Sequence, residues 1–356
     1  MAILSLRAKR SSFDKHIACG ALLVLMAVSS CSEDPVRTPA CTESLPANVQ
    51  PTLSIGFEDA TNTAPNVGQP VIDIFAPTWM AENQLLVYTG LLVDGVDQLG
   101  VYRVQLDPAT LAFRSMTRYS FAHPIVSMEY LAGRDRLLMT YLGATGPAAV
   151  LCRLDSASVV VEEVLVPPAW NCVRVRALGG GYVAYATDPS DGVSGFYLGD
   201  SMSGPPDSLI LDIDLSLAEA NAFDVAANGE AVVFGERATR TSTLNSLALD
   251  GTVTVLAPSV PGLVRDIDAS PVQPDEFLVS YQFPGDSTRP PRGHVVVISA
   301  ASGASTSVPV GTTEALCHFL SIHEVAYSPD GGDVVYSSSS YDGEGSSTAR
   351  ELWIRR

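Results

Sequence analysis

The stretch that decides the fold is "VAYSPDGGDVVYSS", residues 325–338. Its two apolar runs flank a Ser-Pro-Asp-Gly-Gly sequence, a pattern typical of a β-hairpin with a tight turn. A third apolar run, "ARELWIR", follows at residues 349–355. We therefore predict three strands of one antiparallel sheet at residues 324–328, 333–338 and 349–355.

The same pattern of short apolar runs and turn residues repeats along the chain from residue 73 onward. Short runs of β-branched and aromatic residues alternate with clusters of Gly, Pro, Asp and Ser, and we find no long stretch with helical periodicity. The runs fall into six units of four strands, except that the last unit has three. The anchors chosen in the first strand of each unit are Trp79, Tyr130, Arg176, Val225, Ala269 and Tyr327, spaced 51, 46, 49, 44 and 58 residues apart.

Four short strands repeated at intervals of about 40–50 residues predict a β-propeller. The predicted fold class is all-β, a six-bladed β-propeller of four-stranded antiparallel blades. A single blade cannot bury both of its faces, whereas blades stacked around an axis can. The alternatives are a large sandwich and a β-helix, and the regular count of four strands disfavours both.

The last unit lacks a fourth strand, and a segment just before the first repeat has the pattern of a strand that could complete it. In "PTLSIGF", residues 51–57, Leu53, Ile55 and Phe57 alternate with the period of a strand. Because an open sheet edge favours aggregation, we predict that residues 52–57 pair with residues 349–355 and close the ring.

The last unit also carries a recognisable repeat motif. It consists of "YSPDG" at 327–331, "VVYSS" at 334–338 and "ELWI" at 351–354. The first unit has a related pattern, with "PTW" at 77–79, "LVYT" at 86–89 and "VYRV" at 101–104. These residues resemble the WD-like repeat of TolB-type β-propellers. The resemblance implies a propeller fold in the cell envelope and carries no catalytic residues. The α/β domain that precedes the propeller in TolB has no counterpart here.

The N-terminus has the pattern of an export signal. Basic residues precede an apolar segment at residues 17–28, which is too short to span a membrane as a helix. The following "VSSC", residues 28–31, resembles the bacterial lipobox, which predicts acylation of Cys31; an ordinary cleaved signal is the alternative. Ser32 is not the Asp associated with inner-membrane retention, so an outer-membrane location is expected. The predicted domains are a signal at 1–30, a tether at 31–50 and one propeller at 51–356.

The charge of the chain excludes some functions. Removing residues 1–30 takes away four of the 21 basic and one of the 39 acidic residues, which leaves a net charge of −21. Both lysines lie in the removed part, so Schiff-base chemistry on lysine is excluded. An acidic chain does not suit nucleic acid, which binds to basic surfaces. No nucleotide-binding glycine motif is present, and we expect no cofactor.

Four cysteines remain if Cys31 is acylated: Cys41, Cys152, Cys172 and Cys317. An even number in an exported chain permits two disulfides. Closure of the ring would bring Cys41 towards Cys317 and leave Cys152 with Cys172. One disulfide with a free pair, or buried free thiols, are the alternatives. The spacings do not predict a zinc site.

Candidate sites with catalytic chemistry are weak. Gly199-Asp200-Ser201 resembles a hydrolase nucleophile motif, but no downstream Asp-x-x-His supplies a base. "YDGEGSS", residues 341–347, lacks the ligand spacing of a calcium loop. His318 and His323 are five residues apart, so a strand would point them to opposite faces and they do not form a metal site.

One polar constellation remains at the channel of the predicted propeller. The first strand of the fifth unit begins near Arg265 and Asp266, and the aligned positions of the sixth unit are His323 and Glu324. Because these units are neighbours, the four side chains are predicted to meet at one channel mouth and to bind a polar ligand or partner. Ordinary polarity of a rim is the alternative.

Two functions are compatible with these features. The first is a monomeric, lipid-anchored envelope propeller that binds a protein partner or a ligand, because propellers host many roles and no catalytic set is visible. The second is an envelope enzyme, a hydrolase or lyase acting on a saccharide or peptide at the channel mouth.

Overall fold

Short β-strands make up almost all of the regular structure. The structure is a computed structural model that describes residues 75–93, 96–111, 113–213, 218–283, 292–308, 319–341 and 347–355. These residues contain 23 strands and one 3-10 turn, Pro168–Trp170. The predicted all-β class is thereby confirmed. No helix in this described part of the chain has the length and apolar character needed to cross a membrane.

The strands form six successive groups, and all described residues belong to one compact unit, Cys41–Arg356. The groups are, in chain order, β1 (Phe75–Ala81), β2 (Gln84–Val93), β3 (Val96–Leu106) and β4 (Phe113–Ser120); β5 (Ile125–Leu131), β6 (Arg136–Gly143), β7 (Gly146–Asp155) and β8 (Ser158–Val166); β9 (Arg174–Leu178), β10 (Gly181–Thr187), β11 (Ser194–Gly199) and β12 (Ser208–Asp212); β13 (Ala218–Val225), β14 (Ala231–Arg237), β15 (Ser242–Ala248) and β16 (Val253–Val260); β17 (Leu263–Ala269), β18 (Glu276–Phe283), β19 (Arg292–Ser299) and β20 (Ser305–Val308); and β21 (Phe319–Tyr327), β22 (Val334–Tyr341) and β23 (Ser347–Arg355).

Within each group, consecutive strands pair antiparallel as a simple meander. Two single parallel pairs join neighbouring groups, one between Ser120 of β4 and Ser158 of β8 and one between Arg292 of β19 and Leu320 of β21. In the described part of the chain, β23 pairs only with β22. Residues 51–57, its predicted partner segment, lie outside the described residues.

The first strands of the six groups contact one another in succession, and we call the region that they line the centre. Each of β1, β5, β9, β13 and β17 contacts the first strand of the following group, and β21 contacts β1. All six begin at one end of the unit, which we call the upper face; the opposite end is the lower face. The loops that join second to third strands and fourth to first strands therefore lie on the upper face.

Both faces of each sheet are covered by neighbouring sheets. In β2, Leu85 and Val87 pack with Leu352 of β23, whereas Leu86 packs with Met139 of β6. Six apolar clusters of this kind lie between consecutive groups, and one of them joins the first group to the sixth. This explains why the second strands read as continuous apolar runs, since a strand buried on both faces does not alternate with polar residues.

The predicted hairpin at residues 325–338 is present, with Tyr327 of β21 paired to Val334 of β22. Its turn is built by Ser328, whose hydroxyl oxygen accepts the Asp333 N–H at 2.8 Å and donates to Asp330 at 2.5 Å. Gly331 occupies the left-handed region with φ of 71°, which favours glycine. The Ser-Pro-Asp-Gly signature therefore encodes a turn.

The structure corrects one of the cysteine pairings. Cys152 and Cys172 are free, fully buried thiols in different apolar clusters, so the disulfide considered between them is not formed. Burial raises the pKa of each thiol to about 12, which makes both thiols unreactive. Cys31, Cys41 and Cys317 lie outside the described residues.

Candidate functional site

The first strand of each group has a partner strand on only one side within its group. The N–H groups on its other edge face the centre and need acceptors. In four of the six groups, a side chain of the preceding group supplies such an acceptor at one repeated position. The donor N–H groups and their acceptors are Tyr130 to Thr78 Oγ1 at 3.3 Å, Ala177 to Glu129 Oε2 at 2.9 Å, Ala269 to Asp224 Oδ2 at 2.7 Å and Tyr327 to Asp268 Oδ2 at 2.7 Å.

Asp266 lies two residues before Asp268 on β17, nearer the upper face, and also accepts a backbone N–H from the following group. Asp266 Oδ2 accepts the Val325 N–H at 3.0 Å, and Asp266 Oδ1 accepts a hydrogen bond from Arg174 Nη1. Arg174 lies on β9 and Asp266 on β17, in the third and fifth groups, so this ion pair reaches past the fourth group. The side chains are only 4% and 3% exposed. We call this contact the cross-channel pair.

Arg176 occupies the position at which other groups carry an acceptor. A guanidinium cannot accept a hydrogen bond, so Arg176 instead pairs with the next acceptor in the layer, with 3.1 Å between its Nε and Asp224 Oδ1. Asp224 thereby binds both Arg176 and the Ala269 N–H.

The centre holds more acids than bases. Four carboxyl groups, on Glu129, Asp224, Asp266 and Asp268, share it with the guanidinium groups of Arg174 and Arg176. Burial raises the pKa of Glu129 to about 7, and Arg176 and the Ala177 N–H oppose that rise. Burial also raises the pKa of Asp224, Asp266 and Asp268, most strongly for Asp268, which has Asp224 nearby. Part of this acid excess therefore carries protons at neutral pH.

Each of these four carboxyl groups already binds backbone N–H or guanidinium, so their first role is to connect sheets. Among the described residues, no group of three or more His, Cys, Asp or Glu side chains is arranged to hold a metal ion.

The four residues predicted at the channel mouth differ in burial and in their contacts. Asp266 is buried in the cross-channel pair, whereas Arg265 is exposed. His323 and Glu324 are partly buried, and the Ser337 hydroxyl donates to Glu324 Oε2 at 2.5 Å. Irregular pairing occurs at Arg265 in β17 and at His323 and Glu324 in β21, so the two strands deviate at the same level. Ligand binding by these residues stays a prediction.

Sequence reasoning missed Glu129, Arg174, Arg176, Asp224 and Asp268. A signal existed, because acceptors precede the strand anchors Tyr130, Val225 and Ala269 by one residue. The hydrogen bonds identify Ala177 as the third anchor, one residue after the predicted Arg176. That shift hid the equivalence of Arg176 with the acceptors.

Comparisons with known proteins agree on the fold. No protein-family model matches the chain, and no curated protein matches its sequence. The chain is similar to a chain in the crystal structure of a nidogen/laminin complex, with 11% identity over 72% of this chain and 94% of that chain and a TM-score of 0.50. The chain is also similar to luciferin-regenerating enzyme, with 12% identity over 80% of this chain and 91% of that chain and a TM-score of 0.50. For TolB from Acinetobacter baumannii, the identity is 13% over 84% of this chain and 68% of that chain, and the TM-score is 0.46. The first two show that this chain has a β-propeller fold; identities this low show the fold alone.

We expect stability to fall as pH rises, in a way that depends on Glu129. Its folded pKa of about 7 exceeds the ordinary value of 4.5, so its contribution is complete below pH 4.5 and is lost as pH rises through 7. The full effect is up to about 3 kcal/mol. Urea unfolding between pH 4.5 and pH 8 should show a shallower pH dependence for Glu129→Gln than for the wild type. Glu163→Gln, at an exposed position, is the control; equal slopes for Glu129→Gln and the wild type would contradict this assignment.

The cross-channel pair should behave as a coupled unit. Arg174→Met leaves Asp266 buried without its guanidinium, and we expect a loss of about 3–5 kcal/mol at pH 8. Arg174→Met with Asp266→Asn should lose less, because the amide oxygen still accepts the Val325 N–H and no charge is stranded. Arg134→Met, at an exposed arginine, is the control. Strict additivity of the two single changes in chemical unfolding would refute the coupling.

Proposed function

We propose that this chain is a propeller that binds a protein partner or a ligand and does not catalyse a reaction. The supporting observation is the use of the central carboxyl groups. Glu129, Asp224, Asp266 and Asp268 each accept a backbone N–H from the following sheet, and Arg174 bridges the centre to Asp266. Because these carboxyl groups hold neighbouring sheets in position, a partner or ligand would be recognised by the loops and strand ends of the two faces.

One observation favours an enzyme as the second candidate. The pKa of Glu129, about 7, is the value expected of a general acid or base that works near neutral pH. Glu129 Oε2 is bonded to the Ala177 N–H, however, and structural networks also raise pKa values. A hydrolase or lyase acting on a saccharide or peptide at the channel mouth is therefore the alternative.

We further infer that the six groups are six blades of one closed ring. In support, apolar clusters lie between all consecutive groups, and Leu352 and Ile354 of the last group pack with Leu85 of the first. Among the described residues β23 pairs only with β22, and its other edge is the site at which residues 52–57 would add the outermost strand of the last blade.

For location, we propose export and attachment to an envelope membrane through acylated Cys31. The support is the lipobox-like "VSSC" at residues 28–31 behind a short apolar segment. An outer-membrane position remains part of this proposal.

The function is tested by crosslinking the chain in intact envelopes and identifying captured proteins. We expect a specific partner that is retained by Glu129→Gln, and expect Cys31→Ala to move the chain to the soluble fraction with loss of that crosslink. Arg265→Ala and His323→Ala separate the two candidates in turnover assays on envelope saccharides and peptides. If the wild type turns over a substrate and either substitution abolishes that turnover, the chain is an enzyme and the binding proposal is wrong.

The closure is tested by truncation. A chain beginning at Ala47 retains residues 52–57, and a chain beginning at Asn62 lacks them. We expect the shorter chain to lose several kcal/mol, since burial of a Leu, Ile or Phe side chain contributes about 1.5–3 kcal/mol. Ile55→Asp in the longer chain should lower the melting temperature in the same direction. Equal melting temperatures of the two truncated chains would exclude this closure.

A further inference from the structure

Four arginines lie at neighbouring strand ends of a chain that is acidic overall. The whole chain has a net charge of −18. Arg237, Arg240 and Arg265 are nevertheless all exposed, and Arg292 is partly buried. All four lie at upper-face strand ends or turns of the fourth and fifth groups, and we call them the arginine patch.

The fourth-group half of the patch is held against the start of β17. Arg237 ends β14 and pairs with Ser242 of β15, and Arg240 lies in the turn between these strands. The Ser242 hydroxyl oxygen accepts the Val264 N–H at 3.1 Å. A Cβ added at Gly235 would lie 3.2 Å from the Val264 Cβ, so β14 also packs closely here. Arg265, next to Val264, is therefore adjacent to the strand ends that carry Arg237 and Arg240.

The fifth-group half continues the same surface. Val264 pairs with Tyr281, and Tyr281 pairs with His294 and stacks on its ring at 5.1 Å. Arg292 lies two residues before His294 in β19. Burial lowers the pKa of His294, and Arg292 lowers it further, so this imidazole is neutral at pH 7. It adds hydrogen-bonding capacity beside the arginines without adding charge.

Three of the four arginines of the patch form no ion pair with another described residue. The ion pairs formed between described residues neutralise Arg114, Arg136 and Arg153, and none of those pairs includes Arg237, Arg240 or Arg292. Among the described carboxyl groups near the patch, Glu236 accepts the Asn245 amide at 3.1 Å, Asp266 is buried with Arg174, and Glu324 accepts the Ser337 hydroxyl. The start of β17 packs against β14, so Arg237 and Arg265 lie on contacting strands of the two groups, and Arg240 lies in the turn after β14.

We propose that the arginine patch binds a short acidic peptide segment of a partner protein. This inference rests on the proposed function and names the surface and the chemistry of the partner. Guanidinium groups bind carboxylates through paired hydrogen bonds in a fixed planar geometry. A long polyanion or an anionic membrane would extend beyond the patch and meet the negative charge of the remaining chain. A short acidic segment needs only the patch itself.

The probe is a fluorescein-labelled hexaglutamate peptide, and the measurement is its fluorescence anisotropy with the full chain. We expect binding that weakens at high ionic strength. Arg237→Gln, Arg240→Gln and Arg265→Gln together should weaken it by about tenfold or more, because each exposed charge pair contributes about 0.2–1 kcal/mol and the loss accumulates over several carboxylates. Arg118→Gln, Arg134→Gln and Arg153→Gln together remove the same charge elsewhere and should retain most of the binding.

Arg240→Glu alone tests the patch with little risk of misfolding, because Arg240 is an exposed turn residue. This single substitution should also weaken binding. Equal binding by the patch and control variants, or no binding by the wild type, would overturn the proposal. Tighter patch-dependent binding to a single-stranded oligonucleotide or to phosphatidylglycerol vesicles would overturn the choice of partner.

The two proposals fail in different ways. If the envelope crosslink survives in the patch variants, a binding role stands and the arginine patch is not its surface. If hexaglutamate binds through the patch but no envelope partner is captured, the patch stands and the envelope partnership falls.

Discussion

The innermost strand of every sheet in this protein has a hydrogen-bonded neighbour in its own group on one side only. Its other edge faces the common centre, where an unpaired buried N–H costs about as much as a lost hydrogen bond. For four of the six groups, a side chain of the preceding sheet meets that need from a repeated position, as Glu129 does for Ala177 and Asp268 does for Tyr327. The hydrogen bond that satisfies one strand thereby fixes the position of the next sheet.

This arrangement brings acidic groups together at buried positions. Guanidinium groups offset part of the charge, through Arg176 on Asp224 and through Arg174 on Asp266. Protons offset more of it, because burial raises the pKa of Glu129 to about 7. The centre consequently combines cohesion with sensitivity to pH, and a perturbed pKa there does not by itself indicate catalysis.

The remainder of the sheet area is stabilised by apolar contact. Successive residues of β2 contribute to two different clusters, Leu85 on the side of the last group and Leu86 on the side of the second. With sheet faces and inner edges used for assembly, the loops and strand ends remain for recognition. Among the described residues, the upper face at the fourth and fifth groups carries Arg237, Arg240 and Arg265 exposed on a chain of negative net charge.

The sequence by itself determined the all-β class, the repeated groups of strands and the hairpin turn at Ser328, because strand periodicity and turn chemistry are local. It also identified Asp266 as a polar residue of the centre. Only the tertiary structure showed that Asp266 pairs with Arg174, 92 residues away along the chain. The same holds for the free thiols of Cys152 and Cys172, which lie on different sides of the second sheet. Such contacts depend on which edges and faces meet, and these are set by residues far apart along the chain. In the third repeat, a one-residue shift of the predicted anchor also hid the equivalence of Arg176 with the acceptors.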